Sequence, residues 1–496
     1  MSADPIHAKP PSAPRFEAIN RQQLLLRPVD VEQLIEPNHP ARNIWEFLGE
    51  LDLSRFASEV KAVQGHAGRN AWDPRLLITM WLYAYSRGIS SAREIERQCQ
   101  YEPGLQWITG MEVVNHHTLS DFRVQQGAAL QQLFVEVLGI LHLKKLITLE
   151  RVTQDGTKVR ANVNKKTFTR EAKIRAHLKL AEEQVQQMVA AEEQEKRTRR
   201  AAAKQRAQRE RQERLRQALE EVERLQREKK WEKDKPCQAS ITDADAQFMR
   251  TGDHGLAPCY NVQLTTDAAN GLIVGVEVCK NPSDAAQLSP ALERMQETLG
   301  QYPRQIVADG DYTNRESVIA AAECGVDFYG SWGATGSKLG HGIAKEFHPS
   351  LFVYDERRNE FICPEGKRLR FRTTQHLAGG AQNHVFVARR GDCKRCPKQE
   401  QCTPHNRMEK HGRAISVRLE DERVERFKEK MAAPEAKAIY RQRSQIAEFP
   451  HAWIKCKLNF VRVRSRGLRK ATAEAFWVCL THNLQRYFAL QCLQAA

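Results

Sequence analysis

The chain has 496 residues, 41% of them apolar, with 77 Lys and Arg against 61 Asp and Glu. That length suggests about two to four domains with real cores, and a net charge of +16 favours a polyanionic partner, nucleic acid ahead of an acidic membrane surface. No apolar window of about 18 residues, no signal-like leader and twelve scattered cysteines exclude a spanning helix and argue against a disulfide framework, so a cytoplasmic, nucleoid-associated protein is expected.

Residues 1–20, with Pro5, Pro10, Pro11 and Pro14, read as a disordered N-terminus. Residues 21–145 read as an all-helical domain. Asp73-Pro74 is an N-cap with a first-turn proline, opening "LLITMWLYAY", which stops at Gly88. Ser91 and Glu94 have capping-box spacing, Pro103-Gly104 breaks the chain, and Thr118 leads into a helix through Leu119 and Phe122. Short helices and tight turns in a basic protein fit a helix-turn-helix DNA reader or a plain bundle.

From Thr157 to Lys235 there is neither glycine nor proline. Ile174, Leu178, Ala181, Val185 and Met188 form one apolar stripe; Leu215, Leu219, Val222 and Leu225 form another, with a charged stretch between. The spacing predicts a charged helical insertion over 168–235 with coiled-coil character, as a hairpin or one long arm. "YNVQLTTD" and "GLIVGVEVC", joined by Ala-Ala-Asn-Gly, read as a β-hairpin. Helix, strand ("RQIVAD") and helix follow, an α/β pattern. Residues 331–430 read as irregular and cysteine-bearing, and 436–490 as helical.

Three acids stand out. Asp155 lies in "VTQDGTKV", Asp309 ends the strand "QIVAD" with Asp311 two residues on, and Glu448 heads a basic segment. Singly, Asp155-Gly156 and Asp309-Gly310 read as turns. Together, two strand-end acids and a third from a crossing helix suit Mg²⁺ or Mn²⁺, which take oxygen ligands and serve phosphoryl transfer as ion pairs. Cys393, Cys396 and Cys402 form C-x2-C-x5-C, with Cys363 upstream in "FICPEGK". Four thiolates from two turns have the composition of a structural Zn²⁺ site, with His405 or His411 as replacement ligands, against plain thiols or a redox pair. "VRVRSRGLRK" offers Arg462, Arg464, Arg466, Arg469 and Lys470 to a DNA backbone, and Trp332 either stacks on a base or packs.

The stretches "QDGTKVRANVNK", "ITDADAQFM", "YNVQL", "VADGDY", "CKRCPKQEQC", "YRQRSQIAEFPHAWIK" and "RGLRKATAEAFWVCLTHNLQR" resemble the bacterial insertion-sequence DDE transposases, the group with a cysteine cluster before the last acid. The resemblance spans residues 20–488. It implies an RNase H-like catalytic domain over 146–335 and 431–490, with a Cys-rich insertion at 336–430. The triad maps to Asp155, Asp309 and Glu448, and the Y-R-E-K signature to Tyr440, Arg443, Glu448 and Lys455, with Tyr440, Arg443 and Lys455 on the DNA. It further implies DNA cleavage and strand transfer at terminal inverted repeats and target DNA by a homo-oligomer. A hydrolytic nuclease and an inactive DNA-binding regulator on the same architecture are the alternatives. Three positions depart from the family pattern. Asp311 competes with Asp309, Arg441 competes with Arg443, and Pro450 sits two residues past Glu448, where a helix tolerates it only in a first turn.

Overall fold

Side-chain caps fix where the leading helices begin. Asp73 accepts the backbone N–H of Arg75, Ser91 that of Glu94, Glu102 that of Leu105 and Asn115 that of His117. They open α2 (Pro74–Ser86), α3 (Ala92–Gln98), α4 (Pro103–Thr109) and α5 (His116–Gln125), between α1 (Pro40–Gly49) and α6 (Gly127–Leu143). Pro103-Gly104 thus starts a helix where a break is expected, because proline at the first helical position forfeits no hydrogen bond. These coordinates are a computed structural model describing residues 21–495, except 23, 25, 27, 58–69, 193–198, 229–235, 253–254, 333–342, 377–381, 404–410 and 419–420. The disorder expected at 1–20, the glycine-rich loop after Trp332 and His405 lie outside the described residues.

Next comes β1 (Arg151–Arg160), then β2 (Phe168–Arg170), which pairs antiparallel with β3 (Gln238–Ser240). Between them run α7 (Glu171–Glu192) and α8 (Arg199–Glu228). Arg175 pairs with Glu223 and Arg216 with Glu182, so the helices lie antiparallel as a hairpin. Ile174, Ala181, Leu215, Ala218 and Val222 form its core, drawn from the two apolar stripes.

The main sheet is completed by β4 (Gln247–Arg250), β5 (Leu256–Asp267), β6 (Ile273–Cys279), β7 (Gln305–Ala308) and β8 (Asp327–Tyr329), with α9 (Leu288–Leu299) before β7 and α10 (Arg315–Glu323) after it. Its order is β4-β5-β1-β7-β8, and β6 also pairs with β5. β5 runs antiparallel to β1, while β7 and β8 run parallel to it. The expected β5–β6 hairpin is present.

Residues 331–430 are not irregular throughout. They contain an antiparallel sheet of β9 (Val353–Asp355), β10 (Glu360–Ile362), β11 (Arg368–His376), β12 (Gln382–Ala388) and β13 (Ala414–Arg418), in order β13-β12-β11-β10-β9. Short helices α11 (Arg390–Lys394) and α12 (Gln399–Cys402) interrupt it. Phe352, Leu369, Phe386, Ala388 and Ile415 give it a core of its own. Alternating strand residues supply that core, a pattern masked by the flanking arginines.

α13 (Glu422–Ala432), α14 (Pro434–Arg441) and α15 (Arg443–Ala452) lead into a π turn, Trp453–Lys457. Pro450 lies inside α15, not in its first turn. The widened turn follows directly, the usual accommodation for a lost helical hydrogen bond. The last described element is α16 (Leu468–Ala495), whose Trp477 ring packs tilted against that of Trp81 of α2, centroids 6.5 Å apart. One buried core therefore runs from the leading helices through α16 into the main sheet. Among the described residues, no helix is long and apolar enough to cross a membrane.

Candidate active site

β1 sits between β5 and β7, and its parallel register with β7 pairs Gln154 with Ala308. One residue further along each strand come Asp155 and Asp309, close enough for their charges to interact. Asp155 is no turn residue, since β1 continues through Gly156 to Arg160. Asp309 closes a turn instead, its Oδ1 accepting the backbone N–H of Asp311 at 2.9 Å and of Tyr312 at 3.4 Å. Asp309 is half-buried and Asp311 exposed, so of the two it is Asp309 that neighbours Asp155.

Burial raises the Asp155 carboxyl to about 6, with Arg443 opposing the rise and Asp309 and Asp284 adding to it. Asp309 is raised as well, again by burial first. The face that α15 turns toward Asp155 is cationic and imidazole-bearing. Arg443 Nη1 lies 3.7 Å from Asp155 Oδ2, and His451 Nε2 lies 3.6 Å from it. Arg443, Ala447 and His451 follow at four-residue intervals, one stripe of the helix, with Ala447 buried between. Burial, then Lys455 and Arg443, push His451 down to about 4, so its ring is neutral near pH 7, and its Nδ1 has no hydrogen-bond partner. Lys455 is half-buried, within electrostatic reach of Asp155.

Glu448 is exposed on the neighbouring side of α15 and is not among the groups facing Asp155. Among the described residues, no three His, Cys, Asp or Glu side chains converge closely enough to hold one ion. The structure brings the first two acids together and leaves the third on the helix exterior. Tyr440 is half-buried against Val307 and Tyr329, covering β7 instead of facing solvent. Trp332 packs 6.0 Å from Phe427, with Lys428 over its ring, which favours the packing reading.

Sequence reasoning missed a buried polar network beneath the acids. Asp284 Oδ1 accepts Asn261 Nδ2 at 2.6 Å, Gln263 Nε2 at 2.7 Å and Lys158 Nζ at 3.1 Å. Gln263 Oε1 accepts from Gln154 and from the Tyr312 hydroxyl, and Gln154 Oε1 accepts from Thr265. These polar residues alternate along "NVQLT", a signal readable as a second buried face but one that ordinarily marks a solvated one. Gly156 is required here: a Cβ would stand 2.5 Å from Gln263 Nε2 and 2.8 Å from Asp284 Oδ1.

Cys363, Cys393, Cys396 and Cys402 all line one cavity of about 20 Å³. The backbone N–H of Lys367 donates to Cys363 Sγ and that of Arg413 to Cys393 Sγ, each at 3.2 Å. Burial first, then neighbouring thiols, raise Cys393, and burial takes Cys402 up to about 11. His411 lies beside its own chain neighbour, its Nδ1 3.1 Å from the Gly412 carbonyl oxygen.

Residues 362–488 match the model of a transposase DDE domain, and residues 29–125 match that of a transposase domain (DUF772). Both matches support an insertion-sequence DDE transposase. No curated protein matches the chain. The two matches cover the leading helices and the stretch from the cysteines through Glu448 into α16, and leave Asp155 and Asp309 between them.

Proposed function

We propose that this protein is a transposase that binds the ends of its insertion sequence, cleaves DNA there and joins the freed ends to target DNA, on an RNase H-like sheet. The strand order β6-β5-β1-β7-β8, with an antiparallel first half and a parallel second half, supports that fold reading. The single observation that carries the activity is the pairing of Asp155 with Asp309 at adjoining strand positions, beneath a helix face bearing Arg443 and Lys455.

Two carboxylates whose ionisation burial opposes suit a divalent cation, and the oxygen donor set fits Mg²⁺ or Mn²⁺. Asp155 and Asp309 would hold it. Glu448, exposed on α15, would serve as the third ligand only if its carboxylate were brought to the two aspartates. When bound, such an ion stabilises charge on the attacking and leaving oxygens. The chain's own part is to place the DNA. Arg443 and Lys455 neutralise the scissile strand's phosphates, and neutral His451 fills the space above Asp155 without adding charge. The four cysteines would hold a structural Zn²⁺ only by closing around it, since no three of them converge on one point as they stand; their shared cavity is what supports the reading. The working form is a homo-oligomer in the bacterial cytoplasm, since two element ends must be paired.

The test joins a pre-cleaved duplex carrying the inverted repeats to a supercoiled plasmid. Joined product with Mg²⁺, lost in Asp155→Ala and Asp309→Ala while DNA binding persists, is the expected result. Hydrolysis without joining would make the protein a nuclease. A wild type that binds the duplex but neither hydrolyses nor joins it would be a DNA-binding regulator, and joining kept in Asp155→Ala and Asp309→Ala would remove these acids from the site.

A further inference from the structure

Helix α15 ends with one residue more than its last turn needs. The Leu458 N–H donates to the Trp453 carbonyl at 3.2 Å, five residues back, so the π turn Trp453–Lys457 holds a spare residue. The chain beyond this turn is fixed. Ile454 and Leu458 are buried, and the Phe460 N–H donates to the Ile454 carbonyl at 2.9 Å. Further on, the Val463 N–H donates to the Arg160 carbonyl at 2.9 Å and Arg464 Nε to Ser90 Oγ at 3.0 Å. The chain ahead of the turn is held less firmly. α15 starts without a side-chain cap, the Gln442 N–H reaches only three residues back to the Ile439 carbonyl, and Pro450 has no N–H to give the helix. The spare residue can therefore pass along α15 to the junction at Gln442.

Its passage has a defined geometric result. Every residue from 443 to 453 takes the place of the one before it, a rotation of about 100° with a slide of about 1.5 Å. Glu448 then stands where buried Ala447 stands now. That place is the middle of the stripe over Asp155, because Arg443 Nη1 and His451 Nε2 reach Asp155 Oδ2 from one helical turn on either side, at 3.7 and 3.6 Å. The same movement puts Ser444 and Ala452 where Arg443 and His451 were. The guanidinium and the ring leave the acid as the third carboxylate arrives.

Other contacts oppose the movement. The Phe449 ring lies 5.7 Å from that of Trp453 and 6.0 Å from that of His482, with the Arg486 guanidinium 5.5 Å from its centre. Trp453 Nε1 donates to Gln485 Oε1 at 2.8 Å. A shift would carry Phe449 and Trp453 to the exposed places of Glu448 and Ala452. Together with the pairing of Arg443 to Asp155, these contacts make the present register the resting one.

We infer that α15 is a two-register helix, and that a one-residue shift supplied by the π turn seats Glu448 opposite Asp155 and Asp309. The inference rests on the transposase reading and adds the regulation of its site. The three acids meet only when DNA phosphates draw Arg443 away and a divalent cation takes over its charge.

Two single-residue deletions separate the registers. Removing exposed Arg441, ahead of α15, absorbs the spare residue by drawing α15 back one place, with Glu448 seated. Removing exposed Cys456, inside the π turn, absorbs it with α15 where it is and Glu448 outside. Melting of the DNA-free full chain is followed against Mg²⁺ concentration, starting from chelator. The Arg441 deletion should gain its Mg²⁺ stabilisation at a concentration at least about tenfold below that of wild type, since a rarely populated seat weakens apparent binding by its population. The Cys456 deletion should melt like wild type in chelator and respond to Mg²⁺ no better than Glu448→Ala. If either deletion fails to melt cooperatively, Ala447→Glu/Glu448→Ala puts the acid in the same seat with α15 unmoved, and should show the same gain. Equal Mg²⁺ midpoints in wild type and in the folded variants, with joining by wild type intact, would overturn the register switch alone. Midpoints that separate as expected in a wild type that neither cuts nor joins DNA would overturn the transposase reading and leave the two registers standing.

Discussion

Asp155→Asn should make the metal-free protein more stable. Burial holds the Asp155 carboxyl at about 6 against an ordinary 3.8. At about 1.4 kcal/mol per pH unit, ionising it in the folded state costs about 3 kcal/mol relative to the unfolded chain. The sign follows from proton uptake. Between 3.8 and about 6 the folded protein binds more protons than the unfolded one, so rising pH destabilises it across that window. Below the window the cost vanishes, and above it the cost is complete. Asparagine keeps an oxygen that can accept the Gly156 N–H, now 2.9 Å from Asp155 Oδ1, and carries no charge. The pull of Arg443 is already contained in that net shift, so the gain should approach about 3 kcal/mol. Paired thermal unfolding in chelator is the assay. The variant should melt several degrees above wild type at neutral pH, with the difference closing toward pH 4. Mg²⁺ should raise the wild-type midpoint and narrow the gap. A variant equal to or less stable than wild type at neutral pH would refute the desolvated acid.

Gly156→Ala should cost about 1–3 kcal/mol through overpacking against Gln263 and Asp284, and should depress DNA joining more than DNA binding, read by melting and by the joining assay. Glu474→Ala orphans the N–H groups of Arg464 and Ser465 at about 1–3 kcal/mol per donor; Glu474→Gln should restore part of that stability in denaturant titrations. Cys393→Ser with Cys396→Ser should abolish bound zinc, measured by metal analysis of purified protein against wild type. Unchanged zinc would remove the cysteine site.

Much of the scaffold was legible because local chemistry decided it. Asp73-Pro74 and Ser91 set helix starts, and the stripes through Ile174 and Leu215 pack on each other, the hairpin of the two forms that their helical spacing allowed. Asp309 was legible for the same reason, as the acid closing a short apolar strand. What escaped depended on partners far away in sequence. Gly156 read as a turn residue, yet it serves close packing inside a strand, which only Asn261, Gln263 and Asp284 reveal. The sheet of residues 353–418 was hidden by arginines on its exposed face. Glu448 was legible as a residue type, but its side of α15 is set by Pro450, the π turn and the burial of Ala447, none of which periodicity encodes.

Helix α16 has a mechanical consequence. Its 28 residues are wedged between the leading helices and the main sheet, with Trp477 against Trp81 on one side and Asn483 bonded to the β6 backbone on the other. The leading helices are thus welded to the strands that carry Asp155 and Asp309 and do not swing on a tether. Any DNA held by α1–α6 is held at a set span from Asp155. Bringing Glu448 to Asp155 and Asp309 therefore falls to α15, not to the block that α16 holds together.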